Sequence, residues 1–324
     1  MCGRYASARK RIELLEEFRV ERDRVAEALE PDYNVAPTKR VYAVLTRSSR
    51  SADGPAAEAR PAEALAAKGQ SPKSPAAEGR PADSAAGAPA SGGAQRELRV
   101  VRWGLVPSWA KDRSIGSRMI NARAETVQSK PAFRRAFAHR RCLLPADGYY
   151  EWQQPASSGG VKQPYFICRA DGGPLAFAGL YELWRDPALP ADDQLSLLWT
   201  ATIITTSAPD ELGQIHDRMP MVIQPDRWAD WLDPAGDEAA DLMPLLVPAA
   251  AAGLTSYPVS TAVNSVRNNG PQLLDRVPPG GSDVAGVAGQ ASLDFGPGEP
   301  PGRSIRSRGV APGEAAGSNP GQQL

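Results

Sequence analysis

Cys142-Leu143-Leu144-Pro145-Ala146-Asp147-Gly148-Tyr149-Tyr150-Glu151-Trp152-Gln153 sets the fold class. Cys142–Pro145 and Tyr149–Gln153 are short apolar and aromatic runs broken by Asp-Gly, the pattern of strands around a tight turn. Alternation in the second run puts Tyr149 and Glu151 on one face and Tyr150 and Trp152 on the other. Similar runs surround it: Val41–Thr46, Leu98–Trp103, Pro164–Arg169, Leu175–Tyr181, Leu197–Thr206 and Met221–Gln224. Helical patterns cover Arg9–Phe18, Arg22–Glu30, Pro131–Ala138, Pro209–Leu212 and Pro225–Leu232, three of them with proline in the first turn, where its missing N–H costs nothing. Strands outnumber helices and do not alternate with them. An α+β domain with mostly antiparallel sheet is expected, not a doubly wound α/β fold.

Two stretches carry too little apolar surface to offset their ordering entropy. Ser48–Ala94 holds 16 Ala, 7 Ser, 6 Gly and 6 Pro in 47 residues, and Val277–Leu324 holds 11 Gly and 7 Pro in 48. Both are expected to be disordered, the first as an insert between two strands and the second as a tail. One domain over 1–276, interrupted at 48–94, is expected. Of the 324 residues, 37 are Lys or Arg and 37 are Asp or Glu, which excludes a wholly basic coat. No apolar run is long enough to cross a membrane as a helix, and the first residues lack a secretory signal's apolar core, so a cytoplasmic protein is expected. Three cysteines and two histidines without metal-ligand spacing predict no metal site and no disulfide framework. No coiled-coil pattern appears, so a monomer is expected.

The neutral total hides an imbalance. Arg96–Arg141 carries twelve basic residues against Glu97, Asp112 and Glu125, with Trp103, Trp109 and Phe133 among them. Arginines suit phosphates and aromatic faces suit unpaired bases, so a single-stranded nucleic-acid groove is one reading; a solvated basic face is the other. Cys2 is the sharpest feature. Removing Met1 would expose an amine and a thiol on adjacent carbons. Such a pair condenses with an aldehyde to an imine and then closes to a five-membered thiazolidine. In nucleic acid the obvious aldehyde is the ring-opened sugar left where a base is lost. The same terminus also fits N-terminal-nucleophile amidohydrolases or peptidases, in which the thiol attacks an amide. A third alternative is a non-catalytic single-strand binding module. Supporting residues are His216, beside Asp217 and suited to proton transfer near neutral pH, Glu151, set between aromatics, and Asn121, which both donates and accepts.

Several motifs occur in order: Met1-Cys2-Gly3-Arg4-Tyr5, Tyr33-Asn34-Val35-Ala36-Pro37, Trp103-Gly104-Leu105-Val106-Pro107-Ser108-Trp109, Asn121-Ala122-Arg123-Ala124-Glu125-Thr126, Asp147-Gly148-Tyr149-Tyr150-Glu151-Trp152, Ile215-His216-Asp217-Arg218-Met219-Pro220, and Val266-Arg267-Asn268-Asn269 after Pro258-Val259-Ser260. Together they resemble the SOS response-associated peptidase (SRAP) family of abasic-site processing proteins, across the chain apart from insert and tail. The resemblance implies a single α+β domain with a β-barrel-like core and a positive groove. It also implies binding of single-stranded DNA, nucleoid association at damage, and covalent capture of abasic sites as a thiazolidine on Cys2. Autoproteolytic exposure of Cys2 and a lyase activity come with it, and no cofactor. It gives Asn121 a place near the sugar, Glu151 the proton transfers of linkage and reversal, and His216 sugar opening. Arg4, Asn34, Pro37, Trp103, Gly104, Arg123, Lys130 and Arg218 fall along the implied DNA path. Some relatives carry a second arginine where Lys130-Pro131 stands here, which leaves one phosphate contact open.

Overall fold

Val41-Tyr42-Ala43-Val44-Leu45 is apolar at every position, and both of its faces are buried. A strand covered on two sides has no polar face to alternate with. It belongs to the wall of a barrel. A computed structural model of the chain describes residues 2–48, 94–155, 160–190, 192–236, 239–247 and 253–278. The insert and tail expected to be disordered lie almost wholly outside the described residues.

In chain order the strands are β1 (Arg4–Ser7), β2 (Arg22–Asp23), β3 (Asp32–Val35), β4 (Arg40–Ser48), β5 (Ala94–Trp103), β6 (Asn121–Arg123), β7 (Arg141–Ala146), β8 (Gly148–Gln153), β9 (Gln163–Arg169), β10 (Leu175–Arg185), β11 (Leu197–Ser207), β12 (Arg218–Pro220) and β13 (Leu254–Pro258). The helices are α1 (Arg11–Glu17), α2 (Arg134–His139), α3 (Asp210–Ile215), α4 (Trp228–Leu232) and α5 (Ala239–Leu242). Strands β5-β4-β7-β10-β11 run side by side, and β11 pairs back onto β5, closing a five-stranded barrel. Only that closing pair is parallel. The α+β class with a mostly antiparallel, barrel-like core is what the chain forms.

The barrel interior holds Val41, Leu45, Val101, Trp103, Leu144, Phe177 and Ile203. Its outer wall packs under α1, α2 and α4, where Phe18 stacks on Trp228 at 4.5 Å. A second, antiparallel sheet, β13-β9-β8-β1-β3, lies against the interior residues. Tyr5 from that sheet meets Trp103 edge-on at 5.2 Å and Phe177 at 5.7 Å. The sheet's other face packs on Val259, Val263 and Leu273.

The expected turn at Asp147-Gly148 is instead a corner. β7 and β8 do not pair with each other; the chain passes from the barrel into the second sheet there. A Cβ on Gly148 would come within 2.3 Å of Phe166 Cζ and 2.6 Å of Ile167 O, so only glycine lets the sheets approach. Asp147 holds the corner by accepting from Ala8 N at 2.6 Å.

Two other expectations are overturned. Arg22–Glu30 is not a helix. Asp23 Oδ1 accepts from Val25 N at 3.0 Å, a local bond that competes with helical bonding, and β2 adds to the edge of β5. The strand expected at Met221–Gln224 lies earlier, as β12, with a single bridge at Val222.

Candidate active site

Cys2 directly precedes β1's approach to the barrel and is fully buried. Burial, reinforced by the charge of Glu151, pushes its thiol well above the usual range. The thiol therefore stays protonated until a base takes its proton. Glu151 stands near enough for its charge to act on that thiol. β8 presents Tyr149 and Glu151 on one face, as expected from the alternation, and Glu151 is 4 % exposed. Burial lifts its carboxyl from 4.5 to about 7, so it passes between acid and base near neutral pH.

His216 ends α3, which packs on β8. Its Nε2 stands 4.0 Å from Glu151 Oε2. Burial lowers its pKa, so the ring is neutral at pH 7. Arg218 N donates to Nδ1 at 3.0 Å, which assigns the remaining ring proton to Nε2, facing Glu151. The contact of Nδ1 with Asp217 Oδ1, 2.9 Å, gains weight when the ring takes a second proton. Asp217 is exposed, which gives that proton a way to solvent.

Asn121 opens β6, which continues the line of β5 alongside β11. Its Nδ2 donates to Cys2 O at 2.8 Å. Its Oδ1 is buried and has no hydrogen-bond partner among the described residues, an acceptor open to an amine or hydroxyl. The structure thus brings together the four residues singled out for chemistry, Cys2, Asn121, Glu151 and His216.

The rim differs from the expected DNA path. Asn34 is fully buried, its Nδ2 donating to the carbonyls of Val263, Ser265 and Asn268. Trp103 is fully buried and donates to Ile120 O at 2.9 Å. Neither side chain can touch a strand; each fixes the walls instead. Arg4 binds Asn34 Oδ1 at 2.7 Å and Val263 O at 2.8 Å. Arg218 grips Glu125 through two bonds, 2.6 and 3.1 Å. Gly104, at φ +121°, turns the chain out of the barrel where a Cβ would lie 2.5 Å from Gly116 O. Arg123 and Lys130 are exposed, and Pro37 is half-buried.

The twelve basic residues do not form one groove. Arg96 donates to Phe18 O, Arg99 stacks on Trp199 at 4.2 Å, Arg140 pairs with Glu182 at 2.8 Å, and Arg141 is buried among carbonyls. Of the interleaved aromatics only Trp109, 62 % exposed, is free to stack. Arg102 was visible only as one charge among many. Burial and the nearby Arg113 lower its pKa, and its Nη1 is buried without a hydrogen-bond partner among the described residues. Arg113, itself exposed, acts on the Arg102 guanidinium through its charge. Among the described residues no group of His, Cys, Asp and Glu could hold a metal, and no helix is long and apolar enough to cross a membrane.

A buried carboxyl and a histidine close to a cysteine at the second position, set against a closed five-stranded barrel, define the class of protein by its fold and its site. Comparison with known proteins narrows that class. The chain belongs to the SOS response associated peptidase (SRAP) family, whose profile matches residues 1–266. It is 34% identical to the abasic site processing protein YoaM of Bacillus subtilis, over 85% of this chain and 98% of that protein. It is 35% identical to the abasic site processing protein HMCES of Gallus gallus, over 56% of this chain and 58% of that one. A crystal structure of a protein from Bacteroides thetaiotaomicron shares the fold, with a TM-score of 0.60 at 23% identity, covering 85% of this chain and all of that one.

Proposed function

We propose that this protein processes abasic sites by covalent capture: Cys2, freed of Met1, binds the aldehyde of a base-less sugar in single-stranded DNA as a thiazolidine. His216 Nε2–H donates a hydrogen bond to the sugar's ring oxygen as the ring opens, and the proton lost by the C1′ hydroxyl ends on that oxygen. The Cys2 amine adds to the aldehyde carbon, and the carbonyl oxygen leaves as water, giving an imine. The thiol sulfur then adds to the imine carbon; its proton goes to Glu151 while the imine nitrogen takes one up. One C–N and one C–S bond form, one water leaves, and nothing is oxidised. Reversal runs the same proton transfers backwards. Asn121 Oδ1 holds the amine or a sugar hydroxyl, and Arg102, Arg113, Arg123 and Lys130 take phosphates. Autoproteolytic exposure of Cys2 and lyase cleavage from the imine belong to the same reading.

The observation that carries it is Glu151, buried within electrostatic reach of the Cys2 thiol, poised near pH 7 and facing His216. The relatives' names point to the same lesion. An amidohydrolase would leave the arginine rim without a use. The test is a denaturing gel after incubation with intact and abasic single-stranded oligonucleotides. A slow-migrating adduct is expected with the abasic strand alone, and none with Cys2→Ala. Equal adduct in Cys2→Ala rejects the proposal, and turnover of peptide amides without DNA favours the hydrolase.

A further inference from the structure

Glu151 and His216 do not lie at the end of a narrow slot. They form one side of a cavity of about 590 Å³ whose other walls include Trp152, Asn264, Val161 and Lys162. That size is typical of sites for whole small molecules, roughly 300–1,000 Å³, and exceeds what one base-less sugar fills. Its chemistry is mixed in a particular way. Trp152 is half-buried and its indole N–H is taken by Asn264 Oδ1 at 2.7 Å, so the ring offers only carbon surface to the cavity. With that oxygen engaged, the amide nitrogen of Asn264 remains as a donor. Val161 adds an exposed aliphatic wall, 77 % exposed. Lys162 brings an exposed ammonium near enough for its charge to act on His216. An aromatic plane, an amide donor and a cation in one pocket match a base with its phosphate.

We propose that this cavity is a nucleotide subsite: it holds the intact nucleotide next to the base-less sugar, its base against Trp152 and its phosphate at Lys162. This rests on the covalent-capture reading and adds to it a reason for the protein to sense the lesion's neighbour. A flanking nucleotide seated here would pull the sugar toward Glu151 and His216, so the subsite acts by orientation.

The test uses single-stranded oligonucleotides with one abasic site. In one set both neighbours carry bases. In two others the 5′ or the 3′ neighbour is replaced by tetrahydrofuran, which lacks both base and aldehyde. Initial rates of adduct formation are read below saturation. Removing the base on one side should slow wild type about tenfold, within what one base stacked on an aromatic ring contributes, and removing the other should matter less. Trp152→Leu should erase that difference, while Trp152→Phe should keep it. Lys162→Gln is a surface change that leaves the fold intact. In equilibrium binding to a strand with tetrahydrofuran at the lesion itself, it should flatten the dependence of log K on log salt by about 0.7, the loss of one single-strand phosphate contact. Equal wild-type rates on all flanks, persistence of the difference in Trp152→Leu, or an unchanged slope in Lys162→Gln each overturn the subsite. Absence of any wild-type adduct overturns the capture reading instead, and the binding measurements still decide the subsite.

Discussion

Replacing Glu151 by glutamine keeps its shape and removes its titration, and the consequence for stability can be worked out. In the unfolded chain the carboxyl ionises around 4.5; in the fold it does so at about 7. At about 1.4 kcal/mol per pH unit, the folded protein carries a penalty near 3 kcal/mol once the group is ionised in both states. The sign follows from proton counts: between the two values the unfolded state has lost the proton and the folded state keeps it, so stability falls as pH rises through that window. Below 4.5 both states are protonated and the penalty vanishes; above 7 it is complete. Glu151→Gln should therefore match wild type at pH 4.5 and exceed it by about 3 kcal/mol at pH 8, roughly 6–12 °C in Tm for a domain of this size. Thermal melts of both proteins from pH 4.5 to 8.5 read the difference directly, since all other titrating groups are common to both. The gain comes with a loss: adduct formation in wild type should inflect near pH 7, whereas Glu151→Gln should be slower by about 10²-fold or more and show no inflection. A Tm difference that does not change with pH, or the same rate profile in both proteins, refutes the assignment of Glu151 as the buried proton carrier.

Two substitutions among the tryptophans should separate surface from scaffold. Trp109→Ala is expected to weaken single-stranded DNA binding by about 1–3 kcal/mol in titrations, with Tm unchanged, whereas Trp103→Ala should cost about 3–5 kcal/mol of stability by denaturant unfolding. Arg141 donates to the carbonyls of Phe137, Ala138, Trp231, Asp233 and Gly236. Arg141→Met should destabilise by at least about 3 kcal/mol, because those acceptors lose their donor in a buried place; a change under 1 kcal/mol in urea unfolding would show that water replaces it.

Which residues would gather in the candidate site was easier to read in the sequence than the architecture that assembles them. Cys2, Asn121, Glu151 and His216 are rare or oddly placed residue types, and the alternation Tyr149/Glu151 against Tyr150/Trp152 follows from the strand period alone. What was hidden depends on contacts distant along the chain. The closure of β5 on β11 joins Arg102 to Thr200 and Trp103 to Ala201, and nothing local announces it. The same distance hid the burial of Asn34 and Trp103, whose polar groups find partners far away in sequence. Arg22–Glu30 has helical spacing, yet the unpaired edge of β5 and the Tyr42 hydroxyl, which accepts from Leu29 N at 2.7 Å, hold it extended. The subsite residues Lys162 and Asn264 carry no motif of their own; only the cavity connects them with Glu151.

The bonds from Arg4 and Asn34 to residues 263–268 set a schedule for synthesis. The ribosome makes the reactive end first, but the segment that fixes its strand is made some 260 residues later. Until then β1 can pair with β8, but Arg4 and Asn34 lack the carbonyls that hold them. The surroundings of Cys2 are thus completed only when the far end of the folded domain has been made.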